Sequence, residues 1–139
     1  MTDIALEREN AGDPAGSLYE RGCVHMASAR LEEAVHSFEQ SIAIYPHFKC
    51  LELMGECLLE LGRPIAAVVP LAAASRLNAQ VRAPSLLARA FLEIGEFDRA
   101  LELAEEVLGR APGNRVAKQV LGHPSVQEAL AARLTDGAA

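Results

Sequence analysis

The stretch Gly95-Glu96-Phe97-Asp98-Arg99-Ala100-Leu101-Glu102 decides how the chain is read. A glycine turn followed by a run of helix formers, with a small residue on the first turn, marks a helix entered from a tight connection. Moved back by 33 residues, Gly95 falls on Gly62, Ala100 on Ala67, Ala88 on Gly55 and Phe91 on Leu58. Moved back again, Gly55 falls on Gly22, Ala67 on Ala34 and Leu71 on Phe38. The stretch therefore belongs to a unit used three times, over 15–47, 48–80 and 81–114. Self-similarity at this period is the mark of stacked supersecondary units, each too small to bury its apolar face alone.

Each copy has one layout. A first helix carries a small residue at mid-length (Gly22, Gly55, Ala88), and a turn follows at Ala29-Arg30, Gly62-Arg63 or Gly95-Glu96. A second helix then carries a small residue on its first turn: Ala34, Ala67 or Ala100. Antiparallel helices approach closely only where side chains are small, so these positions predict the crossings. Pro46 and Pro112 fall just past second helices, while Pro64 and Pro84 fall near helix starts, where a missing N–H costs nothing. Pro70 sits inside the otherwise helical "PIAAVVPLAAASRL", as a tolerated kink or as a change in superhelix curvature.

The ends depart from the unit. Residues 1–14 hold a short helical pattern, then "AGDPAG", a turn or linker signal. The step from Ala88 to Gly122 is 34, so "NRVAKQVLG" reads as the first helix of an unfinished further unit. In "HPSVQEALAARL" Pro124 opens a helix with Val126, Leu130 and Leu134 at i, i+4, i+8. Residues 115–134 are expected to cap the stack, and 135–139 to fray.

Composition narrows the function classes. Half of the 139 residues are apolar and only 4% aromatic, with alanine and leucine dominant, which favours helix over sheet. A formal net charge of -6 disfavours non-specific binding to nucleic acid or an anionic membrane surface. No apolar run is long enough to span a bilayer, and "MTDIALEREN" lacks the basic start and apolar stretch of a secretory signal. The expectation is a cytoplasmic protein with reduced Cys23, Cys50 and Cys57, since these form neither a CxxC pair nor an even set.

The pattern resembles the tetratricopeptide repeat family, a helix–turn–helix unit of about 34 residues with small, aromatic and proline signposts. The resemblance covers roughly 15–114 and is strongest in "LYERGCVH…LEEAVHSFEQSIAIYP" and "LLARAFLEIGEFDRALELAEEVLGRAP". The middle copy is weaker, because Ala79 stands where the others have Pro46 and Pro112. The resemblance implies an all-α, right-handed superhelix of three helix–turn–helix repeats with C-terminal capping helices. It also implies a concave groove lined by first helices: Tyr19, Cys23 and Met26, then Lys49, Glu52, Glu56 and Leu59, then Arg82, Ser85, Arg89 and Leu92. Such a groove binds a peptide or helix of another protein. Some members clamp a chaperone's C-terminal carboxylate with Lys, Asn, Asn, Lys and Arg; the five places here hold Tyr19, Cys23, Leu53, Arg82 and Leu86, which argues against that role.

Catalytic and metal chemistry find little support. The histidines form no HxxxH or HExxH, so no metal and no cofactor is expected. His25 falls at an inter-helix packing position, whereas His36 and His47 read as surface residues. Cys50 and Cys57, seven apart, share a helix face and read as packing residues, and Glu56 and Glu60 would raise the Cys57 pKa rather than activate the thiol. Cys23 reads equally as an exposed thiol lining the groove or as a packing residue. No phosphate-binding glycine loop or nucleophile elbow is present. The expected function is a non-enzymatic protein–protein interaction module, an adaptor or small chaperone; the alternative is a self-assembling scaffold that uses its repeat ends or groove. Within the groove Glu52, Glu56 and Glu60 share one face, as do Arg82 and Arg89, so the charges meet a partner or Glu56 pairs with Arg89.

Overall fold

The structure, a computed structural model, describes residues 12–138. Eight α-helices and no strand occur among them: α1 Pro14–Ala27, α2 Leu31–Ile44, α3 Phe48–Glu60, α4 Pro64–Leu77, α5 Arg82–Ile94, α6 Phe97–Arg110, α7 Arg115–Leu121 and α8 Pro124–Ala138. The second helices begin at 31, 64 and 97 and end at 44, 77 and 110, so the 33-residue step holds at both ends.

The turns repeat in the same register. Ala29, Gly62 and Gly95 all take positive φ, at 59°, 74° and 95°. At each turn the next residue closes the helix end: Arg30 N–H donates to His25 C=O at 2.8 Å, Arg63 to Leu58 at 2.8 Å and Glu96 to Phe91 at 2.9 Å. This six-to-one bond satisfies carbonyls that the helix terminus leaves open. Two of the three turns use glycine because it takes the left-handed conformation without a Cβ penalty; Ala29 takes it despite that penalty.

At the amino end, "AGDPAG" is not a linker throughout. The Asp13 side chain accepts from Gly16 N–H at 2.9 Å and Pro14 occupies the first helical position, so "DPAG" is the capped first turn of α1. The short helix expected before it lies outside the described residues. Pro70 is buried, and α4 runs through it to Leu77.

Each helix packs on its sequence neighbours, and the core follows the stack. One cluster joins Ala34, Phe38, Cys50, Leu58, Ala67 and Leu71 to Leu86 and Ala90 of the next pair. A second joins Ala88, Ala100, Leu101, Ala104 and Val107 to Ala117 and Val120 of α7 and Val126 of α8. The two carboxy-terminal helices thus cover the open edge of α5 and α6. Of the expected α8 stripe, Val126 is buried and Leu130 half-buried, but Leu134 is 65% exposed. The helix α8 itself runs on to Ala138. The outer contact there is ionic: Arg133 Nη1 meets Glu105 Oε1 at 2.6 Å.

Candidate functional site

The residues of α1, α3 and α5 that were expected to line a groove lie at different depths. Tyr19, Cys23 and Met26 are half-buried and pack against the first core cluster, with the Tyr19 ring 6.1 Å from that of Phe38. The Cys23 thiol is thus packed against the core, neither fully open nor buried. Lys49, Arg82 and Arg89 are open, with side chains 38%, 48% and 40% exposed, and Leu92 is half-buried.

Three expected lining residues lie beneath the surface. Leu59 and Ser85 are buried, and the Ser85 hydroxyl donates to the Arg82 carbonyl at 2.6 Å. Glu52 is 1% exposed, although it shares a helix face with Glu56 and the exposed Glu60. A buried carboxylate requires compensating charge. Lys49 Nζ supplies it at 2.8 Å from within α3, and Arg82 Nε supplies it at 3.4 Å from α5. Arg82 also meets Glu56 Oε2 at 2.5 Å through Nη2. That hydrogen bond to Glu56 is the main reason the guanidinium is held above its ordinary pKa. Two cations and two carboxylates form a neutral cluster linking α3 and α5.

The pairing differs from the one sequence spacing suggested. Glu56 takes Arg82, and Arg89 takes Glu93 of its own helix at 3.1 Å. The long Arg82 side chain lies along α3 and reaches two acids at once, whereas Arg89 finds a partner one turn on without crossing between helices.

Two concavities lie near the expected lining residues. One of about 350 Å³ opens between α1, the end of α2 and the start of α3, and Tyr19, Tyr45, Ser41 and Lys49 are among its lining residues. The other, about 480 Å³, lies between α5 and α7, with Arg82, Asn114, Arg115 and Gln119 around it. Arg115 and Gln119 were not among the expected groove residues. The signal for them was present: α7 continues the series of first helices, and Lys49, Arg82 and Arg115 are spaced by 33. Arg115 is exposed and makes no ion pair among the described residues, so it is the member of this ladder that the described acids leave unneutralised.

The described residues hold no cluster suited to a metal ion: no group of three or more His, Cys, Asp or Glu side chains converges there. Burial pushes the Cys50 and Cys57 thiols up to about 11, and for Cys57 the nearby Glu60 and Glu56 add to the shift, so both are packing residues with no thiolate to offer at neutral pH. Burial likewise raises the Tyr19 phenol to about 12. No described helix is long and apolar enough to cross a membrane.

Antiparallel helix pairs stacked in a fixed register, with one face open along the stack, define a helical-repeat protein. Two family models, both described as tetratricopeptide repeat, match residues 15–48 and 85–118; neither reaches 49–84. The chain is a tetratricopeptide repeat protein. Solved structures share the fold. The first such domain of Spaghetti (RPAP3), bound to the HSP90 peptide SRMEEVD, is 22% identical with a TM-score of 0.76, covering 85% of this chain and 94% of that one. The second domain of human RPAP3, in complex with the HSP70 peptide SGPTIEEVD, is 22% identical at a TM-score of 0.73, covering 78% and 92%. YrrB, described as having an unusual peptide-binding site, is 22% identical at 0.74, covering 90% and 72%. No curated protein matches the chain.

Proposed function

We propose that this protein is a non-enzymatic adaptor or small chaperone whose concave groove holds a peptide or helix of a partner protein. Peptide binding by neighbours of the same fold supports the class of ligand. The observation that carries the reading for this chain is the ladder Lys49, Arg82, Arg115, of which Glu52 and Glu56 neutralise the first two and leave the third open. A partner segment then places a carboxylate at Arg115, beside the cavity between α5 and α7, and an apolar side chain against Tyr19 at the other concavity. The clamp for a C-terminal carboxylate is not rebuilt. Tyr19, Cys23, Leu53 and Leu86 occupy four of its five places, and Arg82 is already engaged by two acids.

The test is selection from a displayed random peptide library, followed by titration of the selected peptides. Peptides that combine an acidic residue with a separate apolar one are expected, and Arg115→Glu should weaken them about tenfold or more through loss of a charge-assisted contact. The peptide SRMEEVD should show no saturable binding. Unchanged affinity in a folded Arg115→Glu protein would remove the proposed site. Arg82 is a poor probe, because changing it strands the buried Glu52 carboxylate and perturbs the fold as well as the surface.

A further inference from the structure

The outward face of α4 differs from the same face of α2 and α6. Ile65 and Val69 are each 75% exposed, and no ionisable residue occurs from Pro64 to Ser75. The 33-residue register gives an internal control. The place of Ile65 is held by Glu32 in α2 and Asp98 in α6, and the place of Val69 by His36 and Glu102. Ala66 and Ala72 likewise stand where α2 has Glu33 and Glu39. At all four places α2 and α6 carry polar or charged side chains and α4 carries none; further along the stripe α2 has its own exposed apolar residue, Ile44.

The neighbouring helices are tied beside this strip. Arg63, at the start of α4, bridges Glu32 in the first turn of α2, and Arg110, at the end of α6, donates to the Ala79 carbonyl just past α4. The apolar strip therefore runs between two helices whose outward faces carry more exposed carboxylates than cations: Glu33 and Glu39 on one, Glu102 and Glu106 beside Arg99 on the other. A second copy of this chain would bring acidic flanks against acidic flanks. A segment with an apolar stripe flanked by Lys or Arg would bury Ile65 and Val69 and meet opposite charge on both sides.

We propose that the outward face of α4 is a docking surface for a basic amphipathic helix of a partner protein, separate from the concave groove. The probe is a synthetic amphipathic helix with leucines along one face and lysines flanking them; its twin carries glutamates in place of the lysines. The lysine peptide should bind the full chain saturably, and the glutamate twin should not. Ile65→Asp with Val69→Glu gives α4 the residues of α6 at two exposed positions, so the fold should be retained, as circular dichroism would check. The double variant should bind the lysine peptide about tenfold or more weakly. It is also more acidic than the parent, so simple charge attraction predicts tighter binding. Equal or tighter binding by the folded variant would overturn the proposal, as would equal binding of the glutamate twin. A parent protein that sediments as a dimer, with the variant a monomer, would make a second copy the occupant and overturn it too. Arg115→Glu should leave the lysine peptide's affinity unchanged; a tenfold change would place that peptide in the groove instead.

Discussion

Where α3 crosses α4, a glycine faces a leucine; where α5 crosses α6, the corresponding places hold two alanines. A Cβ built on Gly55 would lie 2.4 Å from Leu71 Cγ, and one on Gly22 in the first pair 2.4 Å from Phe38 Cε1. One repeat on, Ala88 has that Cβ and its opposite number is Ala104, both fully buried in one cluster. The first-helix place is small in all three pairs. What changes is how the crossing is filled: a large side chain lies over a bare glycine in the first two pairs, and two alanines meet in the third.

Exchanging the two solutions gives the largest expected effect. Gly55→Ala should cost ~1–3 kcal/mol, since Leu71 must leave its rotamer or the helices must part. Leu71→Ala alone should cost ~2–5 kcal/mol for the cavity. The double variant rebuilds the alanine pair of the third crossing, so it should lose less than the sum in denaturant melts. Strict additivity would show that the two positions do not share one space.

A smaller effect separates the same regions by pH. Cys50 and Cys57 lie in α3, and α5 and α6 contain no cysteine. Their thiols ionise near 9.0 when unfolded and near 11 when folded, because burial disfavours the thiolate. The unfolded chain therefore releases protons first. Stability should be unaffected by these thiols below pH 9 and should fall as pH rises from about 9 to about 11. Denaturant melts across that range should show the slope, and Cys50→Ala with Cys57→Ala should flatten it.

The smallest effect lies at the far end. Arg133→Ala removes the bridge to Glu105, a contact between exposed groups. Amide exchange should quicken in α8 and stay unchanged in α3. Equal quickening in both would mean that the stack opens as one unit rather than pair by pair.

These regions also separate what a linear reading can reach from what it cannot. The 33-residue step was legible because turn chemistry and the small crossing residues recur with it, and the structure repeats it at Ala29, Gly62 and Gly95. The tetratricopeptide resemblance followed from the same residues, and it was clearest in the two pairs that the family models match. Depth was not legible. Helical periodicity says that Glu52, Glu56 and Glu60 share a face, but Arg82 of the next helix decides that the first is covered while the last is not. The partner of Glu56 was missed for a related reason: a long arginine can reach along a neighbouring helix to a residue outside its own register. Leu134 was misplaced because an i, i+4, i+8 stripe carries no information about which of its members a neighbouring helix covers.

The placement of the three cysteines makes the protein its own chemical clock. A thiol reagent should modify half-buried Cys23 first, whereas Cys50, whose Sγ lies 3.5 Å from the Phe38 carbonyl oxygen, and Cys57 become reactive only when α3 separates from its neighbours. The slow phase then measures how often the middle of the stack breathes, with no probe introduced. The fast phase reports on the groove wall, so a bound segment that shields Cys23 would retard it alone. One labelling time course thus distinguishes occupancy of the groove from tightening of the whole stack.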